Sequence, residues 1–550
     1  MSKTHFKIIL LTVFMASSCL LCLTKLNAQT TYPFNKNITL RKTLAFPELA
    51  LGRASGVWGY SAAGREYAII GLYNAVAVVD VTNPDSAKVL AKISGVSSGW
   101  REIRTWGSYA YVTNETDSGI MVINLSTLPN NTNQTLPHTN FLDSTYYKSH
   151  ALHIDENGFM YIYGRNGNAQ GAKIYDLKLN PTNLVAVGTF DTQGYIHDGQ
   201  VRNNRLYGCH IYGGFFSVVD VSNKANPIVL ATQSTAFAFP HNSWVNDDAT
   251  VLFVTDEKKN AYLAAYDISD LSNIRLLDTT RAFSTLQRTI PHNVYYKNGY
   301  LITSYYKDGI VIHDATRPHN LVQVGAFDNS PNNTGLGEFE NVWGVYPYFQ
   351  SGNLIASDMV QGLLVYTPTY QRACFLEGMA RDIQTNQPLS GVKVTLINGN
   401  AQNISRTNGS YALGTADSGL YQARFEKASY QTLTINGIRL LNGLVNTQNV
   451  LLTPAVGIDE VENPFQDFLI YPNPAKDKID LRFSSSTHQR LNIELLDLEG
   501  KIIYTYPQTY GIASGYNSLS LVLPLEVPVG IYFMKLNSEK ANFMVKFSKL

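Results

Sequence analysis

Seven times between Ala75 and Tyr370 the chain writes a short apolar strand that runs into a polar turn. The segments are AVAVVDVTNP (Asp80), GIMVINLSTL (Asn124), GAKIYDLKLNP (Asp176), FFSVVDVSNKANP (Asp220), AYLAAYDISDLSN (Asp267), GIVIHDATRPHN (Asp314) and GLLVYTPTY (Thr367). Their end residues are spaced by 44, 52, 44, 47, 47 and 53 positions. Around each lie three more short strand patterns separated by Gly, Asn and Asp turns. A unit of four strands in about 45 residues cannot bury both its faces alone, so copies must pack on one another. Two arrangements do this, a closed β-propeller and an open β-solenoid.

The ends of the array favour closure. The seventh unit stops after its third strand, whereas ITLRKTLAFPEL, Ile38 to Leu49, precedes the first complete unit and reads as a fourth strand without a home. Pairing the two completes the last unit and removes two open sheet edges. The reading is an all-β chain whose first domain, residues 38–370, is a seven-bladed propeller. The repeated segments resemble the LVIVD repeats of bacterial secreted proteins, and Ile38 to Tyr370 as a whole resembles the choice-of-anchor B family. The resemblance implies a propeller in an extracellular setting and no defined reaction.

Within a blade the loop leading into the first strand and the turn after the second lie on one face of the disc, and the unusual side chains sit at both. The leading loops carry VWG (Trp58), REIRTW (Arg101, Glu102), SHALH (His150, His153), IHDG (His197, Asp198), PHN (His241, Asn242), PHN (His292, Asn293) and ENVWG (Glu340, Asn341, Trp343). The turns carry Glu115, Arg165, His210, Glu257, Asp308 and Asp358. Four consecutive blades thus offer a histidine at one equivalent position. Imidazole and carboxylate hold zinc and similar cations, so His150, His197, His241 and His292 are candidate ligands of a divalent metal, with Glu102 or Glu340 as candidate general bases. Trp58, Arg101, Asp198, Asn242, Asn293 and Trp343 are the candidate ligand-binding residues. The alternative is architectural, because propellers of the WD-repeat type also use a histidine here to fix the loop. His153, His210, His313 and His319 read as packed or turn residues. The aromatic side chains of this face read either as a platform for sugar rings or a peptide, or as packing between blades.

Composition narrows the partners. There are 43 basic and 42 acidic residues and no long run of either sign, which gives no electrostatic grip on nucleic acid. Met1 to Ala28 has Lys3 and Lys7, an apolar run from Ile8 to Leu23 and a small residue before Gln29, the pattern of a secretory signal cleaved after Ala28. An uncleaved anchor is the alternative, and Ala16-Ser17-Ser18-Cys19 loosely resembles a lipidation site. Cleavage leaves 40 basic against 42 acidic residues and only Cys209 and Cys374, in different domains, so no disulfide framework is expected. No later stretch is apolar enough to span a membrane.

After Tyr370 the period changes. Residues 374–454 place FLEGMARDIQTNQPLSGVKVTLING, TNGSYALG and GLYQARFEKASYQ in order, short strands between Asn-Gly and Gly-Ser turns. The region resembles the carboxypeptidase regulatory-like domain, which implies a transthyretin-like β-sandwich acting as a spacer. Residues 455–467 read as a linker. From 468 to 550 come YPNP (Tyr471 to Pro474), a central D-x-x-G-K (Asp497 to Lys501) and GIYFMKL (Gly530 to Leu536). They resemble the type A C-terminal sorting domain of the type IX secretion system of Bacteroidetes. This implies an Ig-like β-sandwich, passage through the periplasm, recognition by the secretion apparatus, and release or attachment to surface lipopolysaccharide. Two function classes stand: a secreted or surface-displayed propeller that binds a protein, a glycan or a metal-bridged ligand at its axial face, and a metal-dependent hydrolase or lyase at the same place.

Overall fold

The acid that ends each repeat segment has a mechanical task. Asp80, Asp176, Asp220, Asp267 and Asp314 each accept, through Oδ1, a hydrogen bond from the backbone N–H two residues on, and Asn124 does the same with Ser126. The Asx turn breaks the third strand and aims the chain at the fourth. Five of the third-to-fourth strand pairings then carry a register shift near the same point, which adds local twist to each sheet.

The computed structural model describes residues 35–130, 134–166, 170–283, 289–330, 339–455, 465–538 and 542–550. The expected signal peptide, 1–28, lies outside them, as does most of the expected linker, 456–464. The described residues form strands and turns with two short 3-10 segments, and none of their helices is long and apolar enough to cross a membrane.

Up to Pro368 the strands make seven sheets of the β-propeller type, all antiparallel, and the first five run in chain order. Their inner strands are Val57–Ala62, Ile103–Trp106, Ala151–Ile154, Asp198–Arg202, Pro240–Val245, Val294–Lys297 and Val342–Tyr346. The seventh sheet takes its fourth strand from Ile38–Leu44, which pairs antiparallel with Gly362–Pro368 from Ile38 opposite Pro368 to Leu44 opposite Leu363. Just upstream, Asn35–Lys36 extends the sixth sheet along Val322–Phe327.

Hydrophobic burial makes the ring continuous. Tyr67, Ile69 and Val78 of the first sheet pack with Ile103, Ala110 and Val112 of the second. Similar clusters join the second to the third, the third to the fourth and the fourth to the fifth. One large cluster joins the fifth, sixth and seventh, and Val57, Ala68 and Ile70 meet Tyr346, Ile355 and Leu363 to join the seventh back to the first. Each fully buried Val, Ile or Leu contributes roughly 1.5–3 kcal/mol.

Residues 374–452 form two further sheets. One centres on Cys374–Asp382 with Ser410–Thr415, Val445–Thr447 and Val450–Leu452; the other orders Ala401–Ile404, Lys393–Ile397, Gly419–Glu426 and Leu433–Leu440. A buried-edge ion pair ties this region to the sixth sheet. Glu377 accepts Arg317 Nε and Nη2 at 2.6 Å each and Asn320 Nδ2 at 3.1 Å, and with His319 Nε2 at 3.4 Å these partners hold its carboxyl well below the usual range despite burial. Cys209 and Cys374 are buried free thiols.

Residues 428–431 and 453–550 form a separate compact unit. Its first strand, Phe465–Tyr471, begins inside the stretch read as linker and sits in a sheet with Lys478–Ser485 and Gly515–Val522. A second sheet centred on Gln489–Leu496 and Gly530–Ser538 shares a core with it, built on Phe465, Ile479, Phe483, Ile493, Met534 and Leu536. The motif residues pin this unit: Asn473 Oδ1 accepts Ser548 N, and Asp497 Oδ1 accepts both Glu499 N and Lys501 N around Gly500 at φ +81°.

Candidate metal centre

The four histidines of the leading loops meet at one end of the axis. Ring centroids lie 4.1 Å apart for His150 and His197, 4.5 Å for His197 and His241, and 4.1 Å for His241 and His292. Hydrogen bonds on Nδ1 orient three of them. His150 Nδ1 meets Glu115, His197 Nδ1 lies 3.4 Å from Tyr195 Oη, and His292 Nδ1 donates to Trp343 O at 2.6 Å. The remaining nitrogens are bare: Nε2 of His197 and His292 and both ring nitrogens of His241 are buried without a hydrogen-bond partner. A buried polar atom left unpaired costs about 1–3 kcal/mol, so this cluster is expensive unless something binds it.

A carboxylate completes the set. Glu257 follows the second strand of the fifth sheet, with Oε2 3.9 Å from His241 Nε2 and Oε1 3.8 Å from His292 Nε2. His150, His197 and His241 form one group of donors within 4.8 Å of one another, and His241, Glu257 and His292 form a second. Tyr306 donates its O–H to Glu257 Oε1. Its own backbone stands at φ +46° and is held there by reciprocal hydrogen bonds with Val342, each 3.1 Å. An unfavourable conformation kept by an added bridge is a constraint on where the phenol points.

Electrostatics favours neutral imidazoles. Burial, with the neighbouring rings adding to it, pushes His197, His241 and His292 well below the ordinary histidine value. His150 goes the other way: burial opposes its charge, but Glu115, Glu102 and Asp198 raise it overall. Burial lifts Glu257 to about 7 against the pull of Tyr306. Neutral imidazoles with free Nε2 lone pairs beside a carboxylate are a donor set for Zn, Fe, Ni or Cu, and the partners on Nδ1 are what orients such ligands. Trp343, 4.0 Å from Trp100 in a stacked pair and 4.1 Å from His292, walls the cluster.

The other expected site residues divide. Asp198 and Asn242 lie further along the axis, joined by Asn242 Nδ2 to Asp198 Oδ2 at 2.7 Å, while Asn242 Oδ1 accepts Val294 N. Burial raises Asp198 to about 6. Glu102 is bound by Arg104 at 3.0 Å, so its carboxylate is engaged and does not stand free as a base. Arg101 is turned into the protein, its guanidinium donating to the carbonyls of Leu72, Tyr73 and Val96. Asn293, next to His292 in the chain, has a buried, unpaired Oδ1, and Glu340, in the seventh leading loop, has a buried, unpaired Oε2. Trp58 is separated from Trp343: it faces Arg104, Tyr295 and Tyr346 at the far end of the axis. Glu257, Glu115 and Tyr306 emerge as additional members of the histidine site. The first two were visible as carboxylates in the turns after second strands, and Tyr306 follows the second strand of the sixth unit.

Comparison with known proteins bears on export and on the repeat. Residues 469–549 match the secretion system C-terminal sorting domain, and residues 199–235 match the LVIVD repeat. The chain therefore ends in a domain that marks it for export by type IX secretion, to the cell surface or the surroundings. No curated protein matches it. Among solved structures it is similar to the β-propeller domain of Myceliophteria thermophila Cps50 (Swd1), at 11% identity and a TM-score of 0.42 over 60% of this chain and 99% of that one. It is also similar to a putative 6-phosphogluconolactonase from Bacteroides fragilis, at 12% identity and a TM-score of 0.40 over 56% and 87% of the two chains.

Proposed function

We propose that this chain is an exported metal-binding propeller: seven blades closed by the N-terminal strand, carrying one divalent transition-metal ion at the histidine end of the axis. Its exposed face then binds a ligand through that ion. The observation that carries the reading is the convergence of bare, buried Nε2 atoms on the Glu257 carboxylate. A merely architectural histidine would use both nitrogens to fix its loop; the Nε2 atoms of His197 and His292 fix none, and His241 approaches only the His292 backbone. In the same reading, residues 374–454 form a carboxypeptidase regulatory-like spacer, and the C-terminal domain delivers the chain to the secretion apparatus, with attachment to surface lipopolysaccharide as one outcome.

A second reading, a metal-dependent hydrolase or lyase, draws on Glu115. Its side chain is 38% exposed and bonded to His150, which places a solvent-facing carboxylate beside the donor set. Elemental analysis of the purified full-length protein is the test. About one equivalent of a transition metal is expected, lost in His241→Ala while the far-ultraviolet spectrum is kept. Protein that is metal-free and takes up neither Zn, Co, Ni, Cu, Fe nor Mn sinks both readings.

A further inference from the structure

The far end of the axis holds a second, chemically different pocket. It has a volume of about 360 Å³ and is lined in part by Trp58, His153, Gln200, Arg202, Asn203 and Trp244. The turns joining first to second strands in the third and fourth sheets form its rim, which puts it on the face opposite the histidine cluster. Between the two ends the axis is filled by the Glu102–Arg104 pair and by Asp198 bonded to Asn242.

His153 sets the chemistry. It is 94% buried by its 6% exposure, and its Nε2–H donates to Val201 O at 3.0 Å. That fixes the tautomer, so Nδ1 carries a lone pair, and this atom is buried with no hydrogen-bond partner. Burial and the Arg104 charge press its pKa down to about 3, so it stays a neutral acceptor. The pocket therefore wants a donor at that point. Around it are side-chain donors, the Arg202 guanidinium, which also lies 3.7 Å from Asp247, the Asn203 amide, and the NH2 of Gln200, whose Oε1 already accepts Val245 N, and one acceptor, the Glu156 carboxylate. Two indoles supply the apolar walls. Trp244 packs edge-on to His153 at 5.7 Å, and Arg104 lies 4.0 Å over the face of Trp58.

These features exclude most ligand classes. The guanidinium already seated on Trp58 disfavours a quaternary ammonium in an aromatic cage. A bare imidazole lone pair and the Glu156 carboxylate on the rim repel phosphate or carboxylate, and one imidazole beside an arginine, with Glu156 already accepting Asn203 N at 2.8 Å, is no cation site. What remains is a neutral group with an apolar face and several hydroxyls that both donate and accept. We propose that this pocket binds one neutral pyranose unit of a glycan, its C–H face on the tryptophans and one hydroxyl donating to His153 Nδ1. The volume falls in the lower part of the roughly 300–1,000 Å³ range of small-ligand sites, room for a single ring.

The test titrates the full-length protein with methyl glucoside, galactoside and mannoside, read by tryptophan fluorescence and by saturation-transfer NMR, with tetramethylammonium and inorganic phosphate as comparison probes. At least one pyranoside should bind saturably, and chelators should leave that binding unchanged, which separates it from the metal reading. Arg202→Ala and Asn203→Gly change the rim without touching the core, the latter suiting the φ of +52° at that residue. Each should weaken binding by roughly fivefold to tenfold, the worth of one or two hydrogen bonds. His153→Phe, which keeps a ring and removes the acceptor, should weaken it further. No pyranoside signal, a signal indifferent to both rim variants, or preferential binding of phosphate or tetramethylammonium overturns the proposal.

Discussion

The histidine end and the tryptophan end of the axis grow from the same inner strands, a few residues apart, and differ in what their charged groups already hold. At the histidine end, the Nδ1 of His150, His197 and His292 has a partner, yet the Nε2 atoms of His197 and His292 are bare and both nitrogens of His241 are unpaired. Among the described residues, Glu257 faces two of these rings and has Tyr306, with no Lys or Arg, as its hydrogen-bond partner. Towards the tryptophan end the carboxylates are engaged, Glu102 by Arg104, Asp198 by Asn242 and Glu156 by the Asn203 N–H. One end is left needing a cation, whereas the other has its own cation built in and presents stacking surface. The lesson is that a repeat fixes where side chains converge, and the presence or absence of an internal counter-ion decides what the convergence point can accept.

Removing that internal cation is the strongest way to break the contrast. Arg104 and Glu102 are both over nine-tenths buried as side chains, so Arg104→Met strands a buried carboxylate. A loss of about 3–5 kcal/mol is expected in chemical denaturation, with Glu102→Gln in the same chain recovering part of it. If Arg104→Met is no less stable than the parent, the axis is not divided as described.

A smaller effect should come from the phenol that aims Glu257. Tyr306→Phe removes the hydrogen bond and keeps the ring between His292 and Trp343. Metal affinity, measured by competition with a chromophoric chelator, should fall about 10–100-fold while the melting temperature moves little. An unchanged affinity would mean that Glu257 is not a ligand and that the imidazoles act alone.

Much of this was legible in the sequence because it depends on local chemistry. The Asp that ends each repeat segment is an Asx-turn acceptor, so its recurrence reported the strand ends directly, and the orphan strand Ile38–Leu44 found its place because the seventh unit lacked one. The four histidines could be grouped since each stands where the first strand of its unit begins, one residue before it for His150 and His197, two before it for His292 and second within it for His241. What the spacing hid was side-chain direction. Val57-Trp58-Gly59 and Val342-Trp343-Gly344 are the same tripeptide, yet they face opposite ends. The first strand pairs regularly, whereas the seventh carries a register shift between Val342 and Gly344 that makes Trp343 the extra residue and turns it towards His292. The fifth strand has the same irregularity at His241, between Pro240 and Asn242. Glu257 was equally hidden among its turn equivalents, since the same position gives Arg165 bound to Asp191 and His210 bonded to Ser217. Nothing in a one-dimensional pattern tells which of these turns points inward.

The last effect expected is the share of the acid dependence that His153 carries, small near neutral pH and additional to that of the depressed histidines at the other end of the axis. His153 is neutral in the folded protein, with its pKa near 3 because burial and the Arg104 charge both oppose protonation, while in the unfolded chain it returns to about 6.5. Between those values the unfolded state binds the additional proton. Its contribution is therefore complete above about pH 6.5 and is lost as pH falls towards 3, at a limiting slope of about 1.4 kcal/mol per pH unit. Substituting His153→Phe should make the stability curve shallower across that window, read as midpoints of urea unfolding at a series of pH values. The groups around it set the sign: Arg104 is a permanent cation, Trp244 and the Val201 carbonyl do not titrate, and of the charged groups on the pocket rim, Glu156 and Arg202, neither outweighs burial and Arg104. A curve of the same slope in the parent and in His153→Phe would show that His153 is protonated in the fold. Its Nδ1 would then be a donor, and the pocket at that end would select for anions.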